Sequence, residues 1–528
     1  MQANQAIEEI CRACEGKAAE ERRAYAPEPE PTPAPEPEPN TEPEAATQKA
    51  DVLGALQRNE DGDAELFIYL HRGRFLYDCA AGRWFKWGGN FWAEDLTGES
   101  LQAVNDVVEV YIQEAKKQAW LRTKAAKELN HEAEKIHSDN EKELIKRIKL
   151  LQGLQRKQSV VILARSGAGT LAITGTEWDK QPWLFAAANG ILDLKTGDFR
   201  PGKPGDYIKT ASPTAWKGIN EPCPTWENFI AEIFGNDVLL IEFVQRLLGY
   251  GITGLSILHL FIILFGAGRN GKGTLLETLR AVLGDYAYKT ESELLLEQKS
   301  ARMAGSPNSG VLSLRGRRIV WASETSDGRH LNAGRLKELV GGDTLNARPI
   351  FGKHHVQFAP SHLLLLLTNS KPSAPASDYA LWQRVLLIPF ERAFVAEPRE
   401  PHESKADPFL SEKLQSEASG ILAWLVKGCL AWQKDGLNAP DIVKAATNEY
   451  RSDEDTIGHF IDERCTLNEN YQVRAGDIYK AWKAWAEASG AAYISGKRFG
   501  MEIKKRGFDS YKDKKGIYYR GIDLNGEG

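Results

Sequence analysis

The strongest constraint on this chain is a run of apolar residues, Phe261-Ile-Ile-Leu-Phe265, leading into Gly266-Ala267-Gly268-Arg269-Asn270-Gly271-Lys272-Gly273-Thr274. Five apolar residues bounded by glycine read as a buried strand, and Leu275–Arg280 behind the loop reads as a helix. Strand, glycine-rich turn, lysine and helix together make a phosphate cradle. Glycines let consecutive N–H groups converge on an anion, the lysine reaches the outer phosphates, and the helix N-terminus adds partial positive charge. The whole of Gly266–Thr274 is therefore expected to hold ATP. Where Ser or Thr commonly follows the lysine to hold Mg²⁺, this chain has Gly273, with the hydroxyl one residue later at Thr274. Either Thr274 takes the metal from a shifted register or the metal is held through water.

A chain of 528 residues has room for several domains, and its 42% hydrophobic and 26% charged content is that of a globular protein. The net charge of −5 is unevenly placed: Ala26–Ala46 carries six glutamates, eight prolines and no Lys or Arg. That segment reads as an extended linker, and the remainder is close to neutral, which leaves room for a local basic surface toward nucleic acid. The six cysteines are scattered, as in a reducing compartment. Cys11 and Cys14 have zinc-ligand spacing but no second pair nearby, so the motif reads as incidental. No apolar run approaches the ~20 residues that span a bilayer. A cytoplasmic protein without a membrane partner is expected.

The pattern predicts seven segments: an N-terminal helix (1–25), the Pro/Glu linker (26–46), a mixed region (50–215), a helical collar (216–260), an α/β core (261–395), a helical lid (396–455) and a terminal domain (456–528). Within the mixed region, Leu66–Asp95 is aromatic-rich with a turn at Gly88-Gly89-Asn90. It reads first as a small aromatic core, and second as a surface for stacking on bases. Leu101–Lys157 reads as helical, and Asn189–Gly197 as a hairpin. Ser166–Thr170 is a glycine motif without a lysine and is given no nucleotide role.

A phosphate cradle alone does not choose among kinases, transporters and motors. Arg317–Glu324 is a second apolar strand, ending in a carboxylate suited to Mg²⁺ or to attacking water. His362–Leu367 is a third, followed by Thr368 and Asn369, whose amide is placed to sense the γ-phosphate. Arg384 precedes a fourth, Val385–Phe390, where a guanidinium can complete a neighbouring subunit's ATP site. Between the second and third strands, Gly352 suggests a hairpin with Lys353, His354 and His355 near its tip, and Arg348 on its approach. Such cations suit the phosphates of single-stranded nucleic acid.

In this order the motifs resemble the superfamily 3 helicases, and more closely the phage and plasmid primase-helicase family that includes the poxvirus replication helicase. The resemblance spans roughly Leu66–Leu524. It rests on Asn189–Leu194, Phe243–Tyr250, Gly266–Thr274, Val320–Glu324, Leu339–Asp343 with Ala347 and Arg348, Leu366–Asn369 with Pro372, and Trp382–Arg384 through Phe390. It implies an α/β, AAA+-like P-loop core, a mixed α+β and helical N-terminal region, and a C-terminal winged-helix domain. By the same resemblance the protein forms a ring, most simply a hexamer, that uses ATP and Mg²⁺ and moves on single-stranded or forked DNA. Lys272 and Thr274 would bind phosphate and metal, Glu324 would serve metal and water, Asn369 would be the sensor, and Arg384 the finger given to a neighbour. Lys353 and His354 would grip the strand. Tyr493–Arg520 carries nine Lys/Arg against three acids, with Lys504, Lys505 and Arg506 set toward DNA.

Many relatives place a primase domain ahead of this region, whereas here a helix and the Pro/Glu linker precede Leu66. Primer synthesis is therefore expected from a separately encoded primase or polymerase partner. A phage, prophage or plasmid protein of the bacterial cytoplasm fits this reading. The alternatives are an ATP-switch initiator that melts an origin without translocating and, less favoured, a nucleotide kinase.

Overall fold

The structure is a computed structural model, and residues 51–297, 308–324, 329–348, 356–489 and 494–525 are described. Its centre is a five-stranded sheet: β1 (Phe261–Phe265), β2 (Ala287–Lys289), β3 (Ile319–Glu324), β4 (Leu363–Thr368) and β5 (Val385–Pro389). The spatial order is β5-β1-β4-β3-β2, and every pairing is parallel. Parallel strands need crossovers and are covered on both faces, which is why β1 and β4 are continuously apolar rather than alternating.

The pleat divides those residues between two cores. Ile262, Leu264, Leu363, Leu365, Ile319 and Trp321 join one cluster, while Phe261, Ile263, Leu364, Leu366, Val320 and Ala322 join the other. On the first face lie α1 (Val238–Gly251), α2 (Lys272–Leu283) and α3 (Ala418–Asp435). α3 buries Ile421, Leu422, Leu425, Val426 and Cys429 against α1 and α2. A helix expected to belong to a lid is thus part of the central core. The approach of α1 and α3 is set by glycine: a Cβ on Gly249 would lie 2.1 Å from the Cys429 amide nitrogen, and one on Gly428 2.1 Å from the Gln245 carbonyl oxygen. On the other face, α4 (Asp441–Asp453) packs along β5 and buries Tyr450.

The N-terminal region pairs Trp92–Glu94, Arg83–Trp87 and Phe75–Asp78 antiparallel, with Ala172–Ile173 added in parallel. Phe85 and Trp92 are buried with Trp178, so these two form part of an aromatic core, while Tyr69 is exposed and Trp84 and Trp87 are half-buried. Leu101–Lys157 resolves into helices Val104–Lys127 and His131–Leu151 plus the start of Leu154–Leu163. These are tied to helix Asn59–His71 by the fully buried Asp63. Its carboxylate accepts from Tyr111 Oη at 2.8 Å, Arg147 Nη1 at 2.7 Å and Arg156 Nη2 at 2.6 Å. The expected hairpin at Asn189–Gly197 lies in the three-stranded sheet Leu184–Ala187, Gly190–Asp193 and Phe199–Arg200.

After α4 the chain runs helix Thr456–Arg464, strand Cys465–Arg474, helices Ala475–Ser489 and Gly496–Lys505, then strands Ser510–Lys512 and Ile517–Leu524. This unit has its own core around Phe460, Ile478, Trp482, Phe499, Ile503 and Ile522.

Because backbone sits on the far side of each contact, Gly249→Val or Gly428→Val should separate α1 from α3 and cost about 3 kcal/mol or more. The check is the thermal unfolding midpoint. A variant melting with the parent would show that the two helices do not need their close approach.

Candidate functional site

The sheet register places the predicted nucleotide residues along one edge. Glu324 of β3 is paired with Thr368 of β4, Thr368 with Phe265 of β1, and Phe265 with Pro389 of β5. Gly266 and Asn369 follow Phe265 and Thr368 directly, so the glycine loop and the strand-end amide leave the sheet side by side at its carboxyl edge. Ligands of open α/β sheets collect at this edge.

The loop is pinned from two sides. The Gly266 amide bonds to the Thr368 carbonyl oxygen (3.4 Å), and the Asn270 side chain donates to the Phe390 carbonyl oxygen (3.3 Å). Gly266 is sterically required, because a Cβ there would lie 2.3 Å from both Asn270 Nδ2 and the Phe390 oxygen. Gly271 caps α2 at φ +84°, and its Cβ would strike Ile233. Between them Arg269 also adopts a positive φ of 61°, so the backbone reverses twice before the helix begins. Gly268 and Gly273, by contrast, have nothing within 4 Å of an added Cβ. The first N–H groups of α2 have no acceptor within the helix and are available to an anion.

Lys272 is 6% exposed. Its ammonium donates to the Gly266 carbonyl oxygen at 2.6 Å and to Asn369 Oδ1 at 3.2 Å, and no carboxylate is among these partners. Burial pushes its pKa down from 10.5 to about 8. A buried cation held by two neutral oxygens is a donor for phosphate oxygens, and it is bonded to the very amide predicted to sense them. Thr274 is half-buried at the first turn of α2, and Ala267 lies within the turn. These residues fit a triphosphate: the loop backbone is open at Gly268, the helix dipole points into it, and among the described side chains the ammonium is bonded to no acid.

Arg384 lies elsewhere. It precedes β5, and its carbonyl oxygen accepts from the Phe261 amide at the opposite, amino edge of the sheet. A five-residue strand separates the two edges by roughly 16 Å, so Arg384 and Lys272 are not brought together within one subunit. The Arg384 guanidinium donates to the Ala380 carbonyl oxygen at 2.6 Å. The hairpin predicted around Gly352 has an antiparallel stem, Leu345–Ala347 with Val356–Phe358, and half-buried Arg348 leaves its first strand. Lys353 and His354, like Cys11 and Cys14, lie outside the described residues. Glu324 is placed by its backbone register alone.

The C-terminal cations divide. Arg506 is engaged by Asp455, at the start of helix Thr456–Arg464, and by Glu502 at 3.6 Å, so it braces the unit. Lys505 bonds to Glu502 at 2.9 Å. Lys504 is exposed on helix Gly496–Lys505 together with Lys497 and Arg498. Lys497, Arg498, Lys504 and Lys505 recur at i, i+1, i+7 and i+8, two helical turns apart.

Residues 64–235 match the family described as D5 N terminal like. Among curated proteins, "Putative helicase L207/L206" of Acanthamoeba polyphaga mimivirus is 28% identical over 80% of this chain and 45% of its own length. "Putative helicase 022R" of Frog virus 3 is 30% identical over 43% of this chain and 24% of its own. "Putative primase C962R" of African swine fever virus (strain Badajoz 1971 Vero-adapted) is 26% identical over 44% of this chain and 25% of its own. The chain thus spans less than half the length of these relatives. No helix among the described residues is long and apolar enough to cross a membrane.

The depressed Lys272 pKa carries a stability consequence with a definite sign. Between about 8 and 10.5 the unfolded chain binds more protons than the folded one, so this residue makes stability rise with pH through that window. Lys272→Met should therefore raise the melting temperature at pH 7, with the gap to the parent closing toward pH 10.5. A gap that is absent or independent of pH would mean that the buried ammonium carries no penalty.

Proposed function

We propose that this chain, a protein of the primase-helicase-like family, is an ATP-driven DNA helicase of replication that works as a homo-oligomeric ring on single-stranded and forked DNA. One observation carries the reading: the Lys272 ammonium sits buried at the carboxyl edge of a parallel sheet, bonded to the Gly266 carbonyl and to the Asn369 amide. A lysine so placed serves a nucleotide's outer phosphates, and coupling it to a strand-end amide lets neighbouring elements respond to whether the γ-phosphate is there. A glycine loop after an interior strand of an all-parallel sheet supports an AAA+-like core. In the C-terminal unit, the order helix, strand, two helices and two strands supports a winged helix, with Lys497, Arg498 and Lys504 facing DNA.

In this reading Gly266–Thr274 cradles ATP, Lys272 binds its β and γ oxygens, and Asn369 orients the γ-phosphate. Thr274 and Glu324 would hold Mg²⁺, which supplies charge neutralisation between the phosphates. Arg384, on the far edge from its own Lys272, acts in a neighbour's site, and this makes the ring part of the catalysis. Arg348 and the hairpin beyond it, with Lys353 and His354, grip the single strand and move it as neighbouring sites turn over. The names of the viral relatives, helicase and primase, support placement in DNA replication; a separate primase or polymerase is the partner proposed.

The test is ATP hydrolysis with and without single-stranded DNA, beside strand displacement on a forked duplex. Lys272→Ala should lower turnover at least a hundredfold and abolish displacement. Hydrolysis without displacement would favour a melting switch over a translocating motor. Phosphorylation of a nucleoside monophosphate would make the protein a kinase.

Two further outcomes separate the roles. Mixing Arg384→Ala with Lys272→Ala subunits should restore part of the hydrolysis that each lacks alone, because some interfaces then pair an intact lysine with an intact arginine. Failure to complement would place Arg384 outside the neighbour's site. Gly273 has open space around it, so Gly273→Ser supplies a hydroxyl at the usual metal position without a clash. It should rescue the Mg²⁺ dependence lost in Thr274→Ala by at least tenfold, and no rescue would mean that Thr274 is not the metal ligand.

A further inference from the structure

We infer that the seam between the N-terminal region and the amino edge of the sheet is a second binding site, built for one phosphate-bearing nucleotide unit. Its natural occupant as a strand of DNA rests on the reading above, but its chemistry does not.

A cleft of about 490 Å³ lies there, on the opposite edge of the sheet from the glycine loop. One wall is the segment 176–182 of the N-terminal region. The second comes from residues just ahead of the core strands: Gly254 before β1, Tyr286 before β2, and Arg315–Arg318 before β3. The third is the hairpin stem and the run from it to β4, including Thr344, Gln357 and Phe358. Ligand clefts begin at roughly 300 Å³, so this volume suits a single nucleotide rather than a larger cofactor.

The charge on these walls is one-sided. Lys180, Arg315 and Arg318 line the cleft, and Asp179 is its one lining carboxylate. Arg318, fully buried, spends its donors on main-chain oxygens of Ile252 (2.7 Å), Leu184 (2.6 Å) and Pro182 (2.9 Å). Arg315 donates to the Gly175 carbonyl oxygen at 2.6 Å. Carbonyl oxygens hold both guanidinium groups in place, and Asp179, whose charge acts on Arg318, offsets only one of the three lining cations, so the cleft keeps a net positive potential that an anion can lower. The same field is felt behind the wall. The Lys209 ammonium stands 5.8 Å over the Trp178 ring, and burial, then Arg315, pull its pKa down.

Half-buried Phe358 and buried Pro360 give the hairpin side an apolar surface for a flat base, and Lys180, Arg315 and Arg318 line the same cleft. An acidic peptide would satisfy the charge and leave that surface unused. Since the hairpin stem forms one wall, a strand held on the hairpin would lead into the cleft. A free nucleotide offers the same phosphate and base.

The experiment uses the full chain carrying Lys272→Ala, so that the glycine loop cannot report. A labelled oligothymidylate and unlabelled dTMP are titrated in turn, at several salt concentrations, without ATP. Lys180 is exposed, so Lys180→Glu leaves the fold intact, and Arg315→Ala is the second variant. Each should weaken oligonucleotide binding about tenfold and reduce the salt slope by about one. Displacement of the oligonucleotide by millimolar dTMP would identify a free nucleotide as sufficient. Binding that dTMP does not displace would identify the strand, and either result supports the site. Unchanged affinity and salt slope in both variants would overturn it. ATP hydrolysis by the parent is read separately: its absence would sink the motor reading and leave this result standing.

Discussion

Everything in this molecule is referred to the parallel hydrogen-bonded register of β5, β1, β4 and β3. Parallel pairing puts all carboxyl ends on one edge and all amino ends on the other, and it does so whatever the side chains are. Glu324, Thr368, Phe265 and Pro389 fall in one row because the backbone ladder puts them there. Lys272 and Asn369 meet because each follows a strand in that row by a few residues. Arg384, Arg318 and Tyr286 stand at the amino ends and face the other way.

A sheet of this kind is stable only when both faces are covered, and the covering elements come from distant parts of the chain. α1 precedes the core in sequence and α3 follows it, yet they pack together through paired glycines on the face that also carries α2. The helix that begins at Lys272 is therefore clamped by segments on either side of the core. Such clamping holds the loop backbone in its two reversals, the one at Arg269 being costly for a non-glycine residue unless surrounding structure enforces it.

The two edges differ in how they treat charge. At the carboxyl edge one buried ammonium is satisfied, among the described residues, by two neutral oxygens, which suits exchange with phosphate. At the amino edge buried Arg318 and half-buried Arg315 tie the N-terminal region to the core through main-chain carbonyls, with Asp179 the lining carboxylate set against Arg318. In the C-terminal unit the opposite choice is made at Arg506, where Asp455 and Glu502 neutralise a cation and turn it into a brace. Whether an arginine binds or braces depends on what folds next to it.

That division marks what was legible in the sequence. Continuous apolar runs at Phe261–Phe265 and Leu363–Leu367, glycines at fixed spacing and a lysine before a helix determined the strands, the loop and the identity of Lys272 and Asn369. These depend on local chemistry: a glycine at positive φ or a strand buried on both faces leaves its mark within a few residues. Tertiary structure alone decided the rest. It buried Phe85 and Trp92 against Trp178, which comes from far along the chain, and drew Ala418–Asp435 into the core. It also set Arg506 between Asp455 and Glu502 and assembled the seam cleft from three separate segments. No local pattern encodes such pairings, because the partner of a side chain is fixed by the crossing of elements and not by its neighbours in sequence.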